Sequence, residues 1–235
     1  DKYKSAFSKP TESGHAGYYS VQLSDHGIHA EVTSTPRVGI HRYRLDQTDT
    51  LTWVIDLAHR DELVHYSIEP LGKRRLVGHR VSKNWAEEQH VYFVMEFDRD
   101  FEWGDQLGEI TRTDTLEDGT IRQEMTMVPV FVADFGMVDE LNVHVGLSFC
   151  DIEGAIRNLE AETAGFDFDR YKMENEQRWD EQLGRIAVEG GTKDERTIFY
   201  SALYHSCTVP NLASDVDGRY RGTDLRVHSL PSQDE

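Results

Sequence analysis

Apolar and polar residues alternate with a period of two over most of the segment from Tyr18 to Cys150. This period is typical of antiparallel strands with one buried side and one solvent-facing side. The best examples are YYSVQLS, IHAEVTST, VGIHRYRL, LTWVIDL, LVHYSIEPL, RRLVGHRVS, QHVYFVMEFDRD, TIRQEMTMVPVFV and LNVHVGLSF. Turn signals separate several of them, including DHG, which ends at Gly27, and EDG at residues 117–119. So many short strands without helical periods predict a sandwich of two antiparallel β-sheets.

The period changes after Cys150. The stretch DIEGAIRNLEAET predicts a helix capped by Asp151, although Gly154 is a poor early residue for a helix. FDFDRYKMENEQRWDEQLGRI predicts a second helix. Two consecutive helices after a β-rich block indicate a linker or a domain boundary.

A third helix is predicted over TKDERTIFYSALYHSCTV, with Thr192 as its cap, Glu195 at the capping-box position and Pro210 beyond its end. The short IAVEGG before it is a candidate strand. Because the apolar residues of this helix form a wide stripe, we expect the helix to be mostly buried. The stripe consists of Ile198, Phe199, Ala202, Leu203 and Cys207.

Charge narrows the range of partners. The 235 residues include 25 basic and 43 acidic ones, a formal net charge of -18, which would repel phosphate backbones and anionic lipids. Nucleic acid and membrane surfaces are therefore poor candidates. No apolar stretch approaches the roughly 18 residues needed to span a bilayer, and the start DKYKSAFSKP has no signal-peptide core. Cys150 and Cys207 suggest neither a disulfide framework nor a zinc site, and we interpret them as small buried apolar residues.

One candidate sugar site lies in GHRVSKNWAEEQHVYF. There Arg80, Ser82, Trp85 and Gln89 bracket a predicted loop, and a tryptophan beside hydrogen-bonding side chains suits a pyranose ring. The alternative is structural, with Trp85 as a core or interface anchor and Arg80 in a salt bridge.

A second candidate lies in FSKPTESGHAGYYSV, where Glu12 and His15 are three residues apart. This pair suggests a metal site or acid/base chemistry, but a third ligand is missing, and a structural role is the alternative. The eleven histidines show no HExxH pattern.

The third candidate, SDVDGRYRGTD, nearly fits an EF-hand loop, but Ala213 would occupy the first ligand position and cannot bind calcium. Two interpretations stay open. The loop presents Asp215, Asp217 and Arg219 at a pocket rim or domain surface, or it is a turn held by internal Asp–Arg pairs.

The order of the motifs adds information. FSKPTESGHAGYYSV, IDLAHRDEL, GHRVSKNWAEEQHVYFVMEF, IEGAIRNLEAE and FYSALYHSCTVPNLASDVDGRYRGTD follow one another along the chain. This succession resembles the bacterial α-mannosidases of glycoside hydrolase family 92. The likeness extends from about Phe7 to Asp224, and its last motif is long and specific.

The resemblance implies an N-terminal β-sandwich of the supersandwich type, a helical linker and a C-terminal (α/α)6 barrel, with the active site between the domains. It implies exo-acting, inverting, calcium-dependent removal of α-linked mannose, commonly α-1,2, from N-glycans or mannans. Inversion needs a general acid and a general base roughly 6.5 to 9.5 Å apart. In the family's order, both of these residues and most ligands of the Ca²⁺ cofactor belong to the barrel, beyond residue 235.

The chain is therefore expected to hold the sandwich (residues 1–150, incomplete at its start), the linker (151–190) and the first barrel helix (191–235). Alone it should not hydrolyse anything. Its expected partners are mannose-containing glycans and the rest of the same enzyme. The residues expected to line the site or the interface, none of them the acid or the base, are Trp85, Arg80, Glu12, His15, Asp215, Asp217 and Arg219.

Some implications stay open at this stage. Lys9 and Pro10 replace residues that are polar in the family, so the leaving-group preference is expected to differ if their loop borders the site. The resemblance implies an extracellular or cell-envelope location, with a cytoplasmic one as the alternative. A non-catalytic carbohydrate-binding sandwich and a purely structural sandwich remain alternatives to the enzyme.

Overall fold

The structure, a computed structural model, describes residues 4–59, 61–84, 86–115 and 121–231, and only the backbone of 105–115 and 121–129. A short 3₁₀ turn, Lys9–Thr11, precedes the first strand. The strands are β1 Ser13–His15, β2 Tyr18–Leu23, β3 Ile28–Ser34, β4 Val38–Asp56, β5 Glu62–Leu71, β6 Arg75–Lys83, β7 Gln89–Phe97, β8 Glu102–Thr115, β9 Ile121–Ser148, β10 Arg219–Arg221 and β11 Val227–Ser229. The helices are α1 Ile152–Glu162, α2 Phe168–Leu183 and α3 Lys193–Ser206.

Strands β1 to β9 pair antiparallel in the order β1-β2-β3-β4-β9-β7-β6-β5, with β8 also pairing with β9. The predicted hairpin at DHG is confirmed, since Leu23 pairs with Ile28 and Gly27 has a φ of +59°. The predicted turn at residues 117–119 lies outside the described residues. Strand β9 is central because its first half pairs with β8, its last residues pair with β7, and β4 lies along its other edge.

Two pairs of predicted strands are continuous in the structure. VGIHRYRL and LTWVIDL form the single β4, and TIRQEMTMVPVFV and LNVHVGLSF form the single β9. The β4–β9 ladder shifts register between Arg44 and Asp49 and again between Thr50 and Thr52. Such irregularities bend and twist a strand without ending it. The polar DQTDT therefore lies within a bent strand, where the alternation suggested a break.

The predicted sandwich is confirmed by the packing of these long strands over β6 and β7. Ile55 of β4 and Phe131 of β9 belong to the same buried cluster as Leu76, Phe93 and Phe97. Aromatic contacts join strands that are not neighbours in the ladder, such as Trp53 with Phe97 at 5.9 Å and Tyr66 with Phe131 at 6.0 Å between ring centroids. A second layer thus covers the inner face of the β5–β6–β7 region.

Helices α1 and α2 cover another face of the sheet. Both predicted helices are confirmed, and the Asp151 side chain accepts from Gly154 N at 2.6 Å as the cap of α1. A Cβ on Gly146 of β9 would lie 2.8 Å from the carbonyl oxygen of Ala155, so glycine lets α1 approach the sheet closely. The buried cluster at this contact consists of Val38, Ile40, Val77, Val94, Ala155, Leu159, Phe168 and Tyr171.

Helix α3 forms with the predicted capping box between Thr192 and Glu195. The expectation that it is mostly buried is wrong, because it contains no buried residue and Ile198 is 69% exposed. Helix α3 packs against α2, so one side of the apolar stripe has a partner, while Ile198 on the stripe faces outward.

The expected strand at IAVEGG is also wrong. Its backbone bonds to a side chain of α3 rather than to a strand, with Val188 N donating to Tyr200 Oη at 3.4 Å and Tyr200 Oη donating to the carbonyl oxygen of Ile186 at 3.2 Å. Both cysteines are free thiols. Cys150 is buried as predicted, whereas Cys207 is half-buried.

Candidate functional site

The turn between β1 and β2 is where the N-terminal hairpin meets α2. Gly17 has a φ of +89°, and a Cβ there would lie 3.1 Å from the Trp179 ring, so both backbone conformation and space favour glycine. Asn175 Nδ2 donates to the carbonyl oxygen of Gly17 at 3.0 Å. His15 Nε2 lies 2.6 Å from Glu176 Oε1. These contacts hold the hairpin, and with it His15, against α2.

A cleft of about 1100 Å³ opens between this hairpin, β3, α2 and α3. The aromatic side chains in its lining are Tyr18, Tyr19, Trp179, Tyr200 and Tyr204. The hydrogen-bonding side chains in its lining include His15, Thr33, Asn175, Arg196 and Thr197. Pyranose rings stack on aromatic faces while their hydroxyls need donors and acceptors. The cleft therefore combines the two kinds of group that a carbohydrate requires.

The three aromatic residues of α2 and α3 were missed as site residues. Trp179 and Tyr204 lie with ring centroids 4.8 Å apart, at an interplanar angle of 54°. Tyr200 and Tyr204 are four residues apart on a helix, a spacing that puts both on one face. That spacing was an available signal, but the same pattern is typical of a buried helix face.

Glu12 connects to this cleft through Tyr19. Tyr19 Oη donates to Glu12 Oε1 at 2.9 Å, and Lys9 Nζ forms a close ion pair with the same carboxylate. The hydrogen bond from Lys9, with that from Tyr19, lowers the pKa of Glu12 below its ordinary value. Glu12 is thus held in its ionised form, with Lys9 as its partner. The metal or acid/base role considered for Glu12 and His15 stays a prediction.

The loop that carries Asp215, Asp217 and Arg219 lies against the start of α1. Asp215 is 3% exposed and accepts from Ser148 Oγ and Asn158 Nδ2, both at 2.8 Å. Arg219 Nε donates to Asp217 Oδ2 at 2.9 Å. The structure therefore brings these three predicted residues together, in the bonded arrangement expected of a loop scaffold. Their role at a pocket rim stays a prediction.

Arg219 also makes a two-pronged bond to the helix cap, with Nη1 2.6 Å from Asp151 Oδ2 and Nη2 3.0 Å from Asp151 Oδ1. Burial raises the pKa of Asp151, but the hydrogen bonds from Arg219 and from Gly154 N outweigh it, so the pKa lies below its ordinary value. The cap of α1 is thus ionised and shared between the helix and the loop.

Arg80 lies elsewhere, on β6, and its side chain reaches the turn that follows β4. Its Nε donates to the carbonyl oxygen of Leu57 at 2.7 Å, and its Nη1 is 3.6 Å from Asp61 Oδ2. Trp85 lies outside the described residues, and Ser82, which was grouped with it, is buried. Arg80 thus has structural bonds, while its role in a sugar site with Trp85 stays a prediction.

Comparison with known proteins identifies the family. Residues 1–148 match the family model described as the glycosyl hydrolase family 92 N-terminal domain, and residues 154–234 match the family 92 catalytic domain. The chain belongs to glycosyl hydrolase family 92. The resemblance inferred from the ordered motifs is therefore confirmed.

Solved structures with this fold include family 92 mannosidases of Bacteroides thetaiotaomicron. A family GH92 α-mannosidase from that organism aligns with a TM-score of 0.81 and 25% identity, over 97% of this chain and 32% of its own. A family GH92 inverting mannosidase aligns with a TM-score of 0.77 and 24% identity, over 96% of this chain and 30% of its own. The family 92 chain thus spans about a third of the length of these relatives.

One curated relative is similar over a shorter segment. A protein of Arthroderma benhamiae named an uncharacterized secreted glycosidase is 39% identical over 75 residues, which are 30% of this chain and 10% of that protein. The match covers too little of either protein to show more than a local likeness.

Three histidines of the family 92 chain meet on β5, β6 and β7, although no sequence motif joins them. The His79 ring lies 5.4 Å from His65 and 5.7 Å from His90, and it stacks on Tyr92 at 4.4 Å between centroids. Burial, followed by the charges of His65, His90 and Arg221, lowers the pKa of His79. The antiparallel register, in which His79 pairs with Tyr92, assembles this stack from distant positions.

Within the described ranges, no group of three or more His, Cys, Asp or Glu side chains is placed to hold a metal ion. Of the same residues, none belong to a helix long and apolar enough to cross a membrane. The expectation that calcium binds mainly in the barrel stays a prediction.

Proposed function

We propose that the chain is the N-terminal portion of an exo-acting, inverting, calcium-dependent α-mannosidase that removes α-linked mannose, α-1,2 first, from N-glycans or mannans. The observation that carries the proposal is membership of glycosyl hydrolase family 92 across both the N-terminal and the catalytic match. Similarity to a solved α-mannosidase over nearly the whole chain supports it. Since the chain spans about a third of that enzyme, the activity is proposed for the complete protein.

In this proposal the chain contributes a glycan-contacting surface rather than the reacting groups. The support is the aromatic cleft between the hairpin and the helices, where Trp179 and Tyr204 offer ring faces and His15 offers a polar edge. Mannose units beyond the scissile bond would stack there. Glu12 and Tyr19 would support the rim of the cleft through their hydrogen bond.

The acid, the base and the calcium ligands are proposed to lie in the remainder of the barrel. Ca²⁺ prefers six to eight oxygen ligands. When bound in the active site, it would hold the sugar hydroxyls and stabilise charge in the transition state. Asp215 and Asp151 are already engaged by Ser148, Asn158 and Arg219. Their existing bonds favour a scaffold role over metal ligation.

The test uses the complete enzyme and mannobioses linked α-1,2, α-1,3, α-1,4 and α-1,6. We expect mannose release, fastest from the α-1,2 substrate, with β-mannose as the first anomer seen by NMR. Chelation with EGTA should abolish release, and added Ca²⁺ should restore it. No release from any linkage contradicts the activity. First formation of α-mannose contradicts inversion, and activity unaffected by EGTA contradicts the calcium requirement.

The similarity to a protein named as a secreted glycosidase supports an extracellular or envelope location. Fractionation of the producing cells, with immunodetection of the complete enzyme, tests this. Enzyme found in the cytoplasmic fraction would contradict the location and leave the activity untouched.

The aromatic cleft also favours a second candidate, a non-catalytic carbohydrate-binding sandwich. Titration calorimetry of this chain with α-1,2-mannotriose tests the module, which requires binding by the chain together with no mannose release by the complete protein. Trp179→Ala should abolish such binding. Phe7→Ala is the matched control, since Phe7 is 50% exposed and is not among the residues that line the cleft.

A further inference from the structure

The segment that follows α3 turns back onto the β-sandwich. We call residues 214–221 the strap. The strap belongs to the part of the chain that matches the catalytic domain, but several of its partners belong to the N-terminal match. Arg37 Nε, for example, donates to the carbonyl oxygen of Ser214 at 2.7 Å, and the Arg37 side chain also pairs with Glu162. The strap is thus a second connection between the two parts, separate from the covalent linker.

Asp215, the second residue of the strap, is buried together with its partners. One carboxylate oxygen accepts from Ser148 Oγ of β9, and the other accepts from Asn158 Nδ2 of α1. Asn158 is fully buried, and its Oδ1 accepts from Val216 N at 2.9 Å. Removing this carboxylate would break both hydrogen bonds and leave two buried donors, Ser148 Oγ and Asn158 Nδ2, without this partner.

Gly154 explains how a carboxylate fits there. A Cβ at Gly154 would lie 2.3 Å from Asp215 Oδ2 and 2.6 Å from Ser148 Oγ, so only glycine leaves room for this contact. Gly154 lies in the first turn of α1, where backbone amides and the helix dipole favour a negative charge. The glycine that looked unfavourable in the helix sequence is the residue that admits Asp215.

Two arginines extend the attachment along the strap. Arg219 forms the two-pronged bond to Asp151 at the cap of α1. Arg221 Nε donates to the carbonyl oxygen of Phe149 at 2.7 Å, and its Nη2 donates to that of Cys150 at 3.0 Å. The strap is therefore bonded at its start, its middle and its end.

We propose that the strap fixes the catalytic part against the β-sandwich in the complete enzyme, with Asp215 as a positioning residue that holds it closed. The proposal rests on the proposed function for its effect on catalysis, because an active site between the domains depends on their relative position. The attachment itself is independent of any activity.

The first test measures hydrogen exchange in the complete enzyme. In Asp215→Ala, exchange of the strap amides should rise by at least about tenfold, while exchange of β7 stays unchanged. Gly154→Ala should raise exchange of the strap amides in the same way, because the new Cβ would displace the Asp215 carboxylate. At an ordinary helix position the same substitution would be stabilising, since alanine is the better helix former. Asp224→Ala is the control. Asp224 lies just beyond the strap, and its carboxylate bonds locally, to His228 and to Arg226 N.

Unchanged strap exchange in both variants would overturn the proposal. An equal rise across strap and sheet would also overturn it, because Asp215 would then serve overall stability alone. Gly154→Ala keeps the test decisive if Asp215→Ala does not fold.

The second test measures kcat and KM of the same variants on an aryl α-mannoside. Across Ser148→Ala, Gly154→Ala and Asp215→Ala, we expect kcat to be lower in the variants whose strap amides exchange faster. Ser148→Thr keeps the hydroxyl and should retain activity. Wild-type kcat in variants with an open strap would overturn the positioning role. If the wild-type enzyme releases no mannose, the proposed function fails, whereas the exchange experiment still decides whether the strap is held as proposed.

Discussion

The acid stability of the β-sandwich should depend on His144. This residue of β9 is 2% exposed, and its ring lies 4.5 Å from Phe166 and 5.4 Å from Tyr171 between centroids. Burial lowers its pKa from the ordinary 6.5 to about 4, with a further contribution from His41. The folded chain therefore keeps His144 neutral under conditions in which the unfolded chain would protonate it.

The direction and the size of the effect of pH on stability follow from the difference between the pKa values of His144 in the folded and unfolded chain. Between pH 6.5 and about 4 the unfolded state binds more protons at this site than the folded state, so stability falls as the pH falls through that window. Well above pH 6.5 the residue is neutral in both states and has no effect. The difference between the two pKa values corresponds to a loss on the order of 3 kcal/mol in the free energy of unfolding once the pH is below both values.

The assay is urea unfolding of this chain, followed by tryptophan fluorescence at pH 7.0, 6.0, 5.0 and 4.5. We compare the wild type with His144→Gln, which cannot titrate, and with His26→Gln, whose histidine is exposed. The wild type and His26→Gln should lose stability in parallel. His144→Gln should lose less, by roughly 2 to 3 kcal/mol at the lowest pH, with the remaining loss due to His41 and the carboxylates. Equal pH dependence in all three proteins would refute the reasoning.

The remaining predictions concern packing and capping. Gly146→Ala should destabilise the fold by about 1 to 3 kcal/mol, measured by urea unfolding, because the new Cβ would meet the carbonyl oxygen of Ala155; wild-type stability would show that α1 can shift without cost. Leu159→Ala should cost about 2 to 5 kcal/mol in the same assay, since Leu159 is 1% exposed in the α1 core; a loss below about 1 kcal/mol would contradict that packing. Thr192→Ala should increase hydrogen exchange in the first turn of α3, with a loss of about 1 kcal/mol, whereas equal protection would mean that the capping box contributes nothing.

The strands and helix caps were predictable because their signals are local. Alternation identifies a strand with one buried side, and a Thr or Asp side chain caps the helix that immediately follows it. The continuity of β4 was not predictable from the same pattern. The polar residues between Arg44 and Thr52 interrupt the alternation, but a bulged ladder with β9 keeps them extended. That ladder depends on residues almost a hundred positions away.

The burial of α3 could not be judged from its stripe for a related reason. A stripe predicts that a face is apolar, whereas burial also requires a second element to cover it. Trp179 of α2 contacts Tyr204 of α3, whereas Ile198 of α3 lies exposed. The aromatic residues that line the cleft therefore carried the same sequence signal as core residues.

The burial of Asp215 could not be judged from its neighbours in the sequence either. Its neighbours in SDVDGRYRGTD are polar, and a polar run with glycines usually indicates a solvated turn. In the structure Asp215 is buried because Ser148 and Asn158, more than fifty residues earlier, supply both of its hydrogen bonds. The sequence could present the alternatives for this loop, but only the contacts with β9 and α1 distinguish the bonded scaffold from a free turn.

The carboxylates of the chain also bear on where the reacting groups lie. An inverting glycosidase needs one carboxyl group that stays protonated near neutral pH, and this requires a raised pKa. Among the described residues, the carboxyl groups whose pKa departs clearly from its ordinary value all depart downward: Glu12, Glu31, Asp100, Asp151, Glu195 and Asp224. Hydrogen bonds and ion pairs that hold a carboxylate ionised make it a poor proton donor.

If the general acid lies in the rest of the barrel, Glu12→Gln in the complete enzyme should alter KM without moving the acidic or basic limb of the kcat profile against pH. Loss of the basic limb in that variant would instead make Glu12 the proton donor.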